Sequence, residues 1–288
     1  MTDYWRHLAA SYKKELEMVN PALEQAIINK IMEKGIALPV LPDVAIRSRR
    51  VAEQPDSTIQ DLVDVVAQDP AIAARLIQVA NSAMYRGVQK IDGLHQVITR
   101  LGMRTVSQLI VSLSTQQLFK ANHAVIKKAM QEHWSFSAQI AALAHRIARE
   151  YTKLDVDQAL LAGLLHGVGG IPVIVVAEDI PKLQEAPALL NELVMNLQPR
   201  LGAKIVQAWD FPPMYEDVVR EANNLNYTHE GPANHADVVI AAIAQAKGLT
   251  ETPDGKPIPA AEKLGLDLSV SLIDQEIDDA IRALSAGF

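Results

Sequence analysis

Cysteine is absent from all 288 residues, so no disulfide can staple the fold and no thiolate can hold a metal. That absence fits a reducing compartment. Aromatic side chains make up 5% of the chain against 49% for all hydrophobic residues. The core must therefore be built from Leu, Ile, Val and Ala, which favours helix packed on helix over aromatic-rich sheets. Long apolar runs are missing too. Stretches such as Ile171 to Ala177 fall far short of the ~20 residues of a membrane span. The segment Met1 to Leu16 mixes Asp3, Arg6, Lys13, Lys14 and Glu15 with apolar residues and has no signal-peptide core. A cytoplasmic protein without membrane insertion is expected. Positive charge is also scarce. A net charge of −7 does not draw nucleic acid to the chain as a whole, and nucleic acid is not an expected partner. The densest basic cluster, Arg47, Arg49 and Arg50, reads as a solvated helix face.

What is present is helical periodicity. Ile59, Leu62, Val63 and Val66 follow the i, i+3, i+4, i+7 spacing of one helix face. Val106, Leu109, Ile110 and Leu113 repeat it, as do Ile140, Leu143, Ala144 and Ile147. Ser57-Thr58-Ile59-Gln60 reads as a capping box with Ser57 at the N-cap. Asp69 before Pro70 places a capping carboxylate ahead of a proline at the first helical position. The spacing predicts helices over 3–18, 21–34, 43–54, 58–68, 70–82, 94–100, 103–119, 123–150, 156–166, 187–196, 199–209, 213–224, 235–247 and 269–285. Only Ile171-Pro172-Val173-Ile174-Val175-Val176 could pass for a strand. One strand makes no sheet, so buried helix is the better reading. Residues 249–260, with three prolines and a glycine, read as a linker. The fold class is all-α.

Three stretches carry more than helix. The first is Leu38-Pro39-Val40-Leu41-Pro42, followed by Gln68-Asp69-Pro70 and then Arg75-Leu76 and Ala80-Asn81-Ser82. The second is Ile98-Thr99-Arg100-Leu101-Gly102. The third is Leu164-Leu165-His166-Gly167-Val168-Gly169-Gly170. In this order and spacing the chain resembles the HDOD family, the HD-related output domain of bacterial signalling proteins. The resemblance spans about residues 36–247. It implies an N-terminal helical subdomain over 36–120 packed on a C-terminal subdomain, 121–247, shaped like an HD phosphohydrolase. Residues 1–35 would be a helical extension, and 248–288 a linker with a C-terminal helix. The family is mostly regulatory, and catalysis is not typical of it.

HD phosphohydrolases hold a divalent ion with an early His, an adjacent His-Asp pair and a late Asp. Imidazoles and carboxylates together neutralise the ion, which then activates water. By alignment with that pattern His166 stands at the pair's His, but Gly167 takes the place of its Asp, and Gly170 that of the following Lys. Phe136 falls at the early His and Ile243 at the late Asp. Further histidines of some relatives map to Gln198 and to Ala222-Asn223. One ligand of four remains, and a single imidazole does not hold a cation against water. No catalytic residue, bound metal or cofactor is expected. His166 reads as a helix C-cap, favourable on the dipole when protonated.

Other groups have bland readings. His229, Glu230, His235 and Asp237 match no ligand template and read as loop and N-cap residues. His133 and His145 lie on one predicted helix about 120° apart and do not converge. Gly167-Val168-Gly169-Gly170 reads as a tight turn against a neighbouring helix, not a phosphate loop. Asp69 caps a helix, Arg75 can reach Asp69 or Asp64, and Asn81 and Ser82 bond free backbone groups at a helix end. This corner is also a candidate partner-binding surface. The sequence thus suggests a non-catalytic regulatory or adaptor module of bacterial signal transduction. Its partner would be a signalling protein or a small signalling nucleotide, with a homo-oligomer left open. No receiver or cyclase domain is expected beside it, and input is expected in trans. The alternative is a divergent metal-dependent phosphohydrolase in which His229, His235 and Asp237 converge on His166.

Overall fold

The computed structural model describes residues 21–33, 39–85, 87–118 and 123–285. The helix expected over 3–18 and Leu38 of the Leu-Pro segment lie outside these residues. Among the described residues the elements are all helical, apart from one isolated bridge between Glu251 and Pro257. A first group comprises α1 (Pro21–Glu33), α2 (Asp43–Glu53), α3 (Ile59–Ala67), α4 (Pro70–Ala80), α5 (Leu94–Leu101) and α6 (Met103–Thr115). A second comprises α7 (Ala124–Tyr151), α8 (Val156–Leu165), α9 (Gly170–Ala177), α10 (Pro181–Glu185), α11 (Pro187–Ala208), α12 (Pro213–Glu221) and α13 (His235–Lys247). Two more, α14 (Pro259–Leu264) and α15 (Gln275–Ser285), close the chain.

The ends of these helices follow from side chains that satisfy free backbone N–H groups. Asp69 accepts from the amides of Ala71 and Ile72 at 3.1 and 3.0 Å. The capping box of α3 sits one residue later than expected. Thr58, not Ser57, is the N-cap, and it exchanges bonds with Asp61. A charged carboxylate accepts the N-cap amide better than an amide oxygen, and Gln60 instead donates to Asp64 at 2.7 Å.

The long helix α7 is the spine of the second group. Its Ala138, Ala141, Ala142, Ala144 and Ala148 are all buried. Small residues let α8 approach closely: a Cβ on Gly163 would stand 2.6 Å from the Ala141 Cα. The apolar run 171–176 is helix α9, as expected, and nearly all of it is buried. The stretch Val156–Ala177 is long and apolar enough to cross a membrane, but it lies almost wholly inside the protein's own core. The run-length reading missed it because it counted only uninterrupted apolar residues.

Four expectations change. Residues 187–208 form one helix, not two, and Pro199 lies inside it. The proline removes one backbone bond at a cost of roughly 3 kcal/mol. Burial of Leu193, Leu197, Leu201 and Ile205 on the same helix offsets that loss. Residues 249–260 are no loose linker. Ile258, Ala260 and Ala261 pack with Ile240 and Ala244 in a small cluster of their own. The last helix begins at Gln275, not at 269. Arg49 also leaves the solvated face assigned to it. Its Nη1 donates to the Trp209 carbonyl at 2.9 Å, and its guanidinium lies 5.0 Å over the Phe211 ring. Trp209 Nε1 in turn donates to the Pro39 carbonyl at 2.6 Å. The Leu-Pro segment is thereby tied to the end of α11.

Candidate functional site

His166 is the C-cap of α8, and the helices around it decide what it can do. Its Nδ1–H donates to the Gly163 carbonyl at 2.6 Å, which leaves Nε2 as the lone-pair nitrogen. The side chain of Gln198, on α11, donates to the His166 carbonyl at 3.1 Å. From α7 the Phe136 ring meets the imidazole edge-on, with centroids 5.8 Å apart. His166 is only 2% exposed. Burial pushes it down to about 4, and the nearby His133 and Lys247 push the same way. At neutral pH the ring therefore caps its helix as a neutral hydrogen-bond donor, without the added dipole attraction of a protonated one.

The glycine turn after His166 is a packing device. A Cβ on Gly169 would stand 2.0 Å from the Gln198 carbonyl oxygen and 2.4 Å from the Gly202 nitrogen. One on Gly170 would meet His133 Nε2 at 2.7 Å. His133 Nε2 donates to the Gly167 carbonyl at 2.7 Å, so a residue weighed only against His145 turns out to line this turn. Its position three before Phe136, on the same face of α7, was the available signal. Lys247 was missed as well. It stands one turn beyond the buried Ile243 on α13, with Nζ 5.6 Å over the Phe136 ring. Burial holds its ammonium below the usual lysine range.

The other candidate ligands do not join this place. His229 Nε2 donates to Asp237 at 2.6 Å, and Asp237 also accepts the Asn234 amide within the capping box of α13. His235 lies beside Asp155 at the start of α8 instead, and its Nε2 is buried without a partner. These residues lie at the start of α13, whereas Lys247, beside Phe136, is at its end. Ten or more residues at ~1.5 Å rise separate the two ends by about 15 Å or more. Convergence of His229, His235 and Asp237 on His166 is thus overturned. Among the described residues no three His, Cys, Asp or Glu side chains gather to hold a metal ion.

The signature residues of the first group divide. Asn81 and Ser82 are spent on internal bonds. Asn81 Nδ2 donates to Ile77 and Ile91, its Oδ1 accepts the Ile91 amide, and Ser82 donates to Val79. Asp69 lines a groove of about 290 Å³ with Pro42, Asp43, Arg47, Gln68 and Gln117. The Leu-Pro and Asp-Pro segments, well separated in sequence, meet there. Arg75 reaches neither Asp69 nor Asp64. Its Nη1 donates to the Leu113 carbonyl at 3.1 Å and its Nη2 to the Leu284 carbonyl at 3.0 Å.

Residues 38–225 match the model of the HDOD domain. A structure from Shewanella amazonensis SB2B, provisionally named a metal-dependent phosphohydrolase, is 28% identical, covering 92% of this chain and 97% of that one, with a TM-score of 0.76. An HDOD domain protein of unknown function from Geobacter sulfurreducens is 20% identical, covering 93% and 97%, with a TM-score of 0.60. A Marinobacter aquaeolei VT8 structure, provisionally named a signal transduction protein, is 22% identical, covering 93% and 65%, with a TM-score of 0.61. The last two show the fold alone. An uncharacterized protein of Treponema pallidum (strain Nichols) is 24% identical over 230 residues, 75% of this chain. The chain spans 42% of the length of that relative.

Proposed function

We propose, from the premise that this chain belongs to the HDOD family, that it is a non-catalytic regulatory module which acts by binding. The observation that carries the reading is the sealed imidazole of His166: its Nδ1 is spent on Gly163, its exposure is 2%, and Phe136 packs on its edge. A metal centre needs several neutral or anionic donors around one open position. The positions aligned with those donors hold Gly167, Phe136, Gln198 and Ile243, and a lysine ammonium stands over the Phe136 ring. Cationic side chains disfavour a divalent ion.

Binding falls instead to the first group of helices, where the signature segments build the groove around Asp69 and where Arg75 lies. The partner would be a signalling protein or a small signalling nucleotide, met in the cytoplasm. A second reading, a metal-dependent phosphohydrolase, is favoured by the provisional name of the Shewanella amazonensis structure. One experiment separates the two. Purified protein is analysed for metal and assayed against nucleotides and phosphodiesters with added Mn²⁺ or Mg²⁺. The expected result is substoichiometric metal and no turnover. Hydrolysis that disappears in His166→Ala would overturn the regulatory reading.

A further inference from the structure

Arg75 is a half-buried guanidinium with an ionic anomaly. Among the described residues it has no carboxylate partner, and desolvation holds its pKa down to about 10. An unpaired buried cation is costly. Its compensation comes from two helix ends. Leu113 lies in the last turn of α6 and Leu284 in the last turn of α15, and the carbonyls there carry the negative pole of each helix.

The guanidinium is only half used. Nε and Nη2 form the edge that an oxyanion grips with two oxygens in parallel. Here Nη2 has one neutral carbonyl, that of Leu284, and Nε is buried without a partner. The residues next to its two acceptors show the same deficit. Ser112 and Ser114 flank Leu113, Gln116 lies a turn further on, Ser285 follows Leu284, and each has a buried side-chain polar atom without a hydrogen bond. Ser112 and Ser114 are fully buried. Buried polar groups are normally paired, so a concentration of exceptions points to a missing partner.

The helix that supplies Leu284 is lightly held. Its buried face is Ile277, Ala280, Ala283 and Leu284, with the partly buried Ile281 beside them, so only three large side chains hold it. Its approach is tied to α7 by Arg146–Asp274 and Arg149–Glu276, both partly exposed. Glu150 links the two arginines, and partly exposed pairs of that kind contribute only modestly. Residues 275–285 also lie beyond the family-matched 38–225.

We infer that Arg75 is an oxyanion-binding residue, that the Leu284 carbonyl of α15 is its built-in occupant, and that a phosphoryl or carboxylate group takes both Nε and Nη2 when α15 lifts. This rests on the binding role proposed above and supplies its ligand chemistry. It uses no part of the His166 site, so the metal and hydrolysis assay can fail without touching it.

The test uses the full chain with inorganic phosphate and with acetate as separate probes, each against chloride at equal ionic strength. The expected result is a saturable shift of the Arg75 Nε–H nuclear magnetic resonance signal with one or both, together with faster amide hydrogen exchange over 277–285. A response to phosphate alone assigns a phosphoryl source, and to acetate alone a carboxylate source. Arg75→Gln should abolish the exchange response. Asp274→Asn with Glu276→Gln, which loosens α15 at the surface, should tighten the apparent affinity by about threefold. No saturable shift with either probe overturns the inference. So does an exchange response that survives Arg75→Gln. Where Arg75→Gln does not fold, an affinity unchanged in the Asp274→Asn, Glu276→Gln variant overturns it alone.

Discussion

The phenol of Tyr85 donates to the carboxylate of Asp157 at 2.6 Å, across the junction between the two groups of helices. Thr105 donates to the other carboxylate oxygen at 2.7 Å, so one acid near the start of α8 clasps two residues of the first group. Short hydrogen bonds to a charged acceptor are worth more than neutral ones, roughly 1.5–3 kcal/mol. Tyr85→Phe should therefore lower stability by about 2 kcal/mol. Asp157→Ala should cost more, because it strands two part-buried donors. Urea denaturation read by tryptophan fluorescence checks both. Equal stability of Tyr85→Phe and the parent would show that the junction does not depend on this clasp.

Acid should weaken the fold well above the pH at which carboxylates protonate. Burial, above all, holds His145 and His166 down to about 4 in the folded protein, against 6.5 ordinarily. The unfolded chain therefore binds more protons between those values, and stability falls as pH drops from about 6.5 toward 4. It is fully present above that window. Each imidazole contributes up to about 3 kcal/mol of this loss. The melting temperature of the parent, followed from about pH 7 to about pH 4.5, should fall more steeply than that of His145→Gln. Parallel curves would mean that His145 titrates as freely folded as unfolded.

The sequence was most legible where one local cause decides the structure. Asp69 before Pro70 caps α4 whatever surrounds it, and the apolar run 171–176 is helix, with no strand to pair with among the described residues. It misled where a distant partner decides. Pro199 reads as a break, but packing along α11 carries the helix through it. Arg75 has acidic neighbours in sequence, yet it turns to carbonyls 38 and 209 residues away. The candidate site was half legible. Phe136, Gln198 and Ile243 could be named from a motif alignment. His133 and Lys247 could not, since each acts only through the face of a helix turned toward Phe136 or Gly167.

Gly169 should be intolerant of any side chain. The atoms in the way, the Gln198 carbonyl oxygen and the Gly202 nitrogen, belong to the backbone of α11 and cannot swing aside. Gly169→Ala should cost more than about 3 kcal/mol or prevent folding. Gly93 makes a fair control, since a Cβ there meets nothing within 4 Å. Gly93 is the N-cap of α5, where alanine is the poorer residue, so Gly93→Ala should cost no more than about 1 kcal/mol. Thermal unfolding of the two variants side by side checks this, and a Gly169→Ala protein as stable as Gly93→Ala would show that the glycine turn and α11 do not touch as described.

Restoring one carboxylate should not restore a metal site. Gly167→Asp puts a Cβ 2.9 Å from Ser137 Oγ and 3.0 Å from His133 Nε2. Both are side-chain atoms that can shift, so the variant should fold with a moderate loss of stability. The new carboxylate and the His166 imidazole are two donors, still short of the three that a catalytic zinc site needs. Phe136→His and Ile243→Asp must accompany the change. Even then the Lys247 ammonium, over the position of the Phe136 ring, opposes the incoming cation, so Lys247→Gln should raise the metal affinity of the triple variant further. Metal content after dialysis is the measurement: substoichiometric for Gly167→Asp, stoichiometric for the triple variant. A single Gly167→Asp change that loads a full complement of metal would place this chain one residue from an active centre, and the regulatory reading would then need a different foundation.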